Sequence, residues 1–222
     1  STLFPYTTLF RSSCLLGEFS PFEAFDEYNF HTGVVLQNTA GQLSGLSDTV
    51  FDEIAFGLIN QGMSEEEASK SVARAACQMG LEDLLEQAPD TLSGGQTQRL
   101  AIASEIAFDP EFLIMDDPTS QMDPVGRKEF FEWLAGCSEK TIFIVSNEVD
   151  DLCEIADQLW VLEKGELIAS GKPLDVINQV AEGHDLYLPV VYRMAKELGK
   201  KLPSGLFPVK LSELKGCFDD QN

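Results

Sequence analysis

Two short stretches hold residue types that handle phosphate and metal. Leu92 to Gln96 reads LSGGQ, and Gln98-Arg99 and an apolar helical run follow it. Paired glycines let a backbone approach an oxyanion closely. A helix that starts there aims its free N–H groups and positive dipole end at the anion. Ser93 adds a hydroxyl donor. A Ser-Gly-Gly turn alone is more often a plain loop. About twenty residues on, the apolar run Phe112 to Met115 ends in Asp116 and Asp117, followed by Pro118-Thr119-Ser120 and Asp123. An aspartate at the C-terminal end of a buried strand is placed to hold a nucleotide's magnesium. An Asp-Asp pair alone would read as a solvated strand end, but the two stretches at this spacing argue for a nucleotide site.

The elements that must position these residues follow from periodicity and punctuation. Gly33 to Gln37, GVVLQ, is an apolar strand ending in Gln37. From Asp48, a candidate cap, DTVFDEIAFGLIN keeps helical spacing. Ser64 to Glu67 is a capping-box pattern opening a helix to about Met79, with Gly80 at its C-terminal stop. A short helix over Glu82 to Gln87 is expected before Pro89. No strand signal falls between about 48 and 90, which reads as a helical insertion.

Gly94-Gly95 then turns into a helix with Leu100, Ile102, Ala103 and Ile106 on its apolar face. Phe112 to Met115 and Thr141 to Val145 read as buried parallel strands. Between them Asp123 caps a helix with Pro124 at its first position and Gly136 past its end. A helix over Val149 to Ala156 is followed by a hairpin, Gln158 to Leu162 and Glu166 to Ser170, across Lys164-Gly165. Further helices are expected from Pro173 to about Val180 and over Leu188 to Leu198. The last twenty residues read as irregular. The alternation of helix and strand after Leu92 implies an α/β fold with a parallel sheet.

The 222 residues carry a formal charge of −22 and a pI near 4.2. That balance argues against non-specific nucleic-acid binding, which needs a basic patch. No run of about 18 apolar residues exists to span a bilayer, and no secretory leader is expected. The five cysteines, Cys14, Cys77, Cys137, Cys153 and Cys217, are scattered and form no CxxC. They read as reduced, structural thiols.

Over about residues 33 to 182 the sequence resembles the ATP-binding-cassette (ABC) transporter ATPases. The motifs that carry the likeness are LSGGQ and the strand ending in Asp116-Asp117. VVLQNTAGQLSGLSDTVFDEIAFGL, SQMDP and the added C-terminal segment are most similar to the energy-coupling-factor group. That group drives uptake of vitamins or of cobalt and nickel ions. The resemblance implies a P-loop NTPase-like core with a parallel sheet plus an α-helical subdomain at about 48 to 92. The partial ATPase domain would run over 13 to 182 and a C-terminal extension over 183 to 222. ATP and Mg2+ are the implied cofactors.

The family's roles carry over by motif. Gln37 matches the glutamine that approaches magnesium. Ser93, Gly94, Gly95 and Gln96 match the signature, which contacts the γ-phosphate bound by the opposite subunit. Asp116 matches the Walker B magnesium ligand, and Asp123 the aspartate at the dimer interface.

Three departures qualify the match. No Walker A loop is found: Lys70-Ser71 follows Ser69 and Lys140-Thr141 follows Glu139, so neither has the glycine before lysine. The first strand, that loop and the first helix are therefore expected to be lacking. Thr2 to Ser12, TLFPYTTLFRS, resembles the translation of a common sequencing adapter, so residues 1 to 12 are expected to be non-native. Asp117 stands where the family has its catalytic glutamate, and its side chain is one methylene shorter. Asn147 stands where the family has its switch histidine. Asparagine can hydrogen-bond a phosphate oxygen but cannot become cationic or shuttle a proton.

The implied function is the ATP-binding and ATP-hydrolysing subunit of an importer, the degenerate half of a heterodimer. Its partners would be a second ABC ATPase subunit and an integral membrane subunit, with no nucleic acid. It would be cytoplasmic, peripheral on the inner face of the membrane. One alternative is a truncated fragment or scaffold that binds no nucleotide. Another is a non-transport ABC ATPase. The DNA-repair type needs long coiled-coil arms, and the 55 or so residues from Gln37 to Leu92 leave no room for them.

Overall fold

The computed structural model describes residues 31–219 apart from Asp185. The expectation for residues 1–12 falls outside that span. The described residues form two compact units, 31–122 with 138–144, and 123–137 with 145–219.

The first unit is built on strands β1 (Thr32–Val35), β2 (Phe112–Asp116) and all but the last residue of β3 (Thr141–Val145), in the order β1-β2-β3. β1 and β2 run parallel, with Gly33 opposite Leu113 and Val35 opposite Met115. Gly33 is required by packing: a Cβ there would lie 2.9 Å from Leu113 Cδ1 and 3.0 Å from Pro110 Cγ. β2 is followed in space by β3, whose Thr141 N–H donates to Glu111 O at 2.9 Å.

TIFIV was expected to be a buried strand. In the structure Thr141, Phe143 and Val145 are exposed, Phe143 at 47% and Val145 at 51%. β3 is an edge strand among the described residues, and a continuous apolar run does not say which of its faces is covered.

Helices α1 (Val50–Asn60), α2 (Glu65–Met79) and α3 (Gly94–Ile106) pack together beside the sheet. Val50, Ile54 and Leu58 of α1, Val72, Ala75 and Ala76 of α2, and Leu100 and Ile102 of α3 are fully or almost fully buried. Each large aliphatic side chain so buried contributes about 1.5–3 kcal/mol.

α2 has the expected capping box. The Ser64 hydroxyl accepts from Glu67 N–H, the Glu67 carboxylate accepts from Ser64 N–H, and Gly80 closes the helix in the left-handed region at φ 63. The cap of α1 is Thr49 rather than Asp48. Thr49 has the extended backbone of a cap, and its Oγ1 accepts from Asp52 N–H. The helix expected over Glu82 to Gln87 is a single 3-10 turn, Glu82–Leu84. The chain beyond it is recruited by α1: Leu85 O accepts from Phe51 N–H and Gln87 O from Val50 N–H. Those carbonyls satisfy donors that a helix start leaves open.

In the second unit α4 (Pro124–Ala135) starts at Asp123, whose Oδ1 accepts from Gly126 N–H at 2.7 Å. Arg127 of α4 pairs with Glu148 at 2.7 Å and Asp151 at 3.3 Å, the latter on α5 (Val149–Ile155). β4 (Leu159–Glu163) and β5 (Glu166–Gly171) form an antiparallel hairpin turning at Lys164 (φ 52) and Gly165 (φ 84). Two positive φ values in a two-residue turn match the twist of the strands they join.

α6 (Pro173–Val180) and α7 (Val190–Leu198) enclose a core of Cys153, Ile177, Tyr192 and Val209. Burial pushes the Cys153 thiol up to about 12, so it is an inert core group. The tail expected to be irregular contains α8 (Leu211–Asp219). Glu213 Oε2 accepts from Val209 and Lys210 N–H, and Leu214 is buried. Short-range capping and one apolar anchor suffice there, which a sequence rich in Pro and Gly disguises.

Candidate functional site

The site-bearing helix is α3. Its N-terminus is closed by a second capping box: Ser93 Oγ accepts from Gln96 N–H at 3.4 Å, and Gln96 Oε1 accepts from Ser93 N–H at 2.9 Å. Two of the signature's side chains are thus turned on the helix end itself. Gly94 and Gly95 carry the N–H groups that the helix does not use internally.

The missing side chains of these glycines have a further reason. A Cβ on Gly94 would lie 2.8 Å from Gln121 Oε1, and one on Gly95 3.2 Å from the Gln121 carbonyl oxygen. The loop after β2 therefore packs directly on the start of α3.

That loop is held by a residue the sequence reading passed over as part of a motif. Gln98 is fully buried. Its Nε2 donates to Asp117 O and to Ser120 Oγ, both at 3.3 Å, and its Oε1 accepts from Gln121 N–H at 3.0 Å. A glutamine two positions before the buried apolar face of α3 was the available signal. A buried amide must find partners, and all of these lie on the loop after β2.

Asp116 is the last residue of β2 and is exposed. Asp117 follows in the left-handed region, φ 48. Its side chain meets Gln37, whose Nε2 donates to Asp117 Oδ2 at 3.4 Å. Gln37 lies just past the end of β1. Gln37, Asp116, Asp117 and Ser93 to Gln96 thus all belong to the first unit.

Asp123 and Asn147 belong to the second unit. Asp123 spends one carboxylate oxygen on the cap of α4. Asn147 is exposed, and its carbonyl accepts from Val149 N–H at 2.9 Å.

Among the described residues no three His, Cys, Asp or Glu side chains cluster as a metal cage. Asp116 and Asp117 are consecutive in the chain and the Gln37 amide bonds the second of them, a sparser set that suits a different ion. Magnesium keeps several waters and is bound by one or two carboxylates together with phosphate oxygens.

A family model described as ABC transporter matches residues 13–120. The energy-coupling factor transporter ATP-binding protein EcfA2 of Streptococcus pyogenes serotype M28 is 38% identical over 191 residues, covering 83% of this chain and 68% of the relative. The chain belongs to the ABC transporter family.

Solved ABC proteins share the fold. CbiO1 from Clostridium perfringens, described as part of the ABC transporter complex cbiONQ, superposes with a TM-score of 0.64 at 28% identity, over 81% of this chain and 67% of that one. The dimeric structure of a bacterial ABC transporter cassette gives a TM-score of 0.62 at 25% identity, over 70% of this chain and 68% of that one. The parallel β1–β2 pair and the helices beside it are thus part of an ABC α/β core. No helix among the described residues is long and apolar enough to cross a membrane.

Proposed function

We propose that this protein is the ATP-binding subunit of an energy-coupling-factor type ABC importer, peripheral on the inner face of the membrane. It would work with a second ABC ATPase subunit and an integral membrane subunit, using ATP and Mg2+ to drive uptake of a vitamin or a transition-metal ion. Its relatives by name are EcfA2 proteins and a CbiO protein, which supports this reading.

Within such a pair the two halves of this chain have unequal chemistry. Asp116 would hold Mg2+ with Gln37 beside it, and Asp117 would stand at the base position with a short reach. Displacing a catalytic group by about 1 Å can cost on the order of 100-fold in rate. Asn147 would bond a phosphate oxygen without carrying charge. Ser93 to Gln96 has no such defect, and its N–H groups would stabilise the γ-phosphate of the partner's ATP. Asp123 would sit at the interface.

The observation that carries the reading is the contrast between a fully capped signature helix and the shortened acid at Asp117. Co-purified ATPase and membrane subunits test it. Substituting Gly95 is expected to remove most turnover, whereas Asp117→Asn is expected to change it less than about twofold. Silencing by Asp117→Asn alone would refute the asymmetric scheme.

One observation favours a second reading, a polypeptide that binds no nucleotide by itself: no Lys-Ser or Lys-Thr pair follows a glycine. Calorimetric titration of the 222-residue chain with Mg-ATP separates the two. Micromolar binding would overturn this second reading.

A further inference from the structure

Glu105 lies near the far end of α3 from the signature, and burial raises its carboxyl above the ordinary range against the pull of its hydrogen bonds. It accepts the Val34 N–H on Oε2 at 3.1 Å and the Gln42 Nε2 on Oε1 at 2.9 Å. Gln42 in turn donates to Val34 O and accepts the Leu36 N–H at 3.0 Å.

β1 is the other edge strand of the described sheet. On that edge the Val34 N–H and carbonyl, and the Leu36 N–H just past the strand, are taken up by two side chains acting as a substitute strand. An edge left without partners is costly if buried and sticky if exposed. Gly33 makes the arrangement possible: a Cβ there would press on Leu113 and Pro110 and come within 3.5 Å of Glu105 Cβ.

The chain between Val34 and Gln42 contains Gln37. One carboxylate thus fastens both ends of the Gln37 loop to the helix whose other end is the signature. We propose that Glu105 is a positioning residue that couples the Gln37 loop to the signature helix. This rests on the function proposed above, in which Gln37 serves this chain's own ATP and Ser93 to Gln96 the partner's. A displacement of the loop at one nucleotide is then transmitted along α3 to the other. A rigid helix of 13 residues moves as one body, so no side-chain relay is needed between its ends.

Two measurements test the coupling. The first is amide hydrogen exchange by NMR on the full chain. Glu105→Ala is expected to speed exchange of the Val34 and Leu36 amides about tenfold, the scale of one lost charge-assisted hydrogen bond. Glu105→Gln, which keeps an acceptor for Val34, is expected to stay within about threefold of the parent. Unchanged exchange at Val34 and Leu36, or an equal rise throughout α2, would overturn the proposal.

The second is ATP hydrolysis by the assembled subunits. Glu105→Ala is expected to lower kcat about tenfold while leaving KM for ATP within about twofold, because it misplaces groups and removes no ATP contact. Loosened amides with an unchanged kcat would also overturn the coupling. If the parent assembly hydrolyses no ATP, the proposed function fails, and the exchange experiment still decides whether Glu105 holds the loop.

Discussion

Gln37 donates from Nε2 to Asp117 Oδ2 at 3.4 Å, although the two residues are 80 positions apart. The contact joins the second residue past β1 to the first residue past β2, and parallel pairing of those strands makes it possible. It also shows where the shorter acid is directed. Asp117 reaches toward Gln37, and its backbone is in the left-handed region that side chains other than Gly, Asn and Asp avoid.

Asp117→Asn preserves both features, because asparagine tolerates that backbone and can still meet Gln37. It is expected to change stability by less than about 0.5 kcal/mol. Asp117→Val is expected to destabilise by about 1–3 kcal/mol through strain at the positive φ. Urea unfolding of the chain measures both.

Gln98→Leu fits the volume but removes three hydrogen bonds, leaving the Asp117 carbonyl with one fewer donor and the Gln121 N–H without its acceptor. The expected loss is about 2–4 kcal/mol. With the partner subunits it should cost turnover through the signature, since the loop it holds packs on the start of α3.

Gly94 and Gly95 are expected to respond differently to alanine. At Gly94 the obstruction is the Oε1 end of the Gln121 side chain, which can rotate away. At Gly95 it is the Gln121 backbone carbonyl, which cannot. Gly94→Ala should therefore be the milder change, and Gln121→Ala should rescue it. Gly95→Ala should not be rescued. A double-mutant cycle on thermal stability reads the difference.

A pH dependence follows from Asp109. The hydrogen bond from Lys140 at 2.7 Å is the largest cause holding its carboxyl below the ordinary range, with Arg74 at 3.5 Å adding to it. A lowered folded-state pKa means that the stabilisation is complete above the ordinary aspartate value. It is lost as pH falls from there through the lowered one. Asp109→Asn should therefore lower Tm at pH 7, and the gap to the parent should close on acidification. The group is well exposed, so salt should shrink the gap as well.

What the amino-acid sequence determined by itself is local. The caps at Ser64 and Asp123, the Gly80 stop and the Lys164-Gly165 hairpin are all legible, because their hydrogen bonds close within three or four residues; Ser93, read as a hydroxyl donor to an anion, instead accepts from Gln96 N–H as a cap. The motif stretches were legible as well, since LSGGQ and the paired aspartates are contiguous. The tertiary structure decided which partners those stretches meet. Gln98 finds Gln121 across 23 positions, Gln37 finds Asp117 across 80, and Glu105 finds Val34 across 71. It also decided that one face of β3 is exposed and that the tail ends in a helix. A side chain's type states what bonds it needs. Only the packing of β1, β2 and α3 brings the acceptor that satisfies it, and no spacing within the chain encodes that distance.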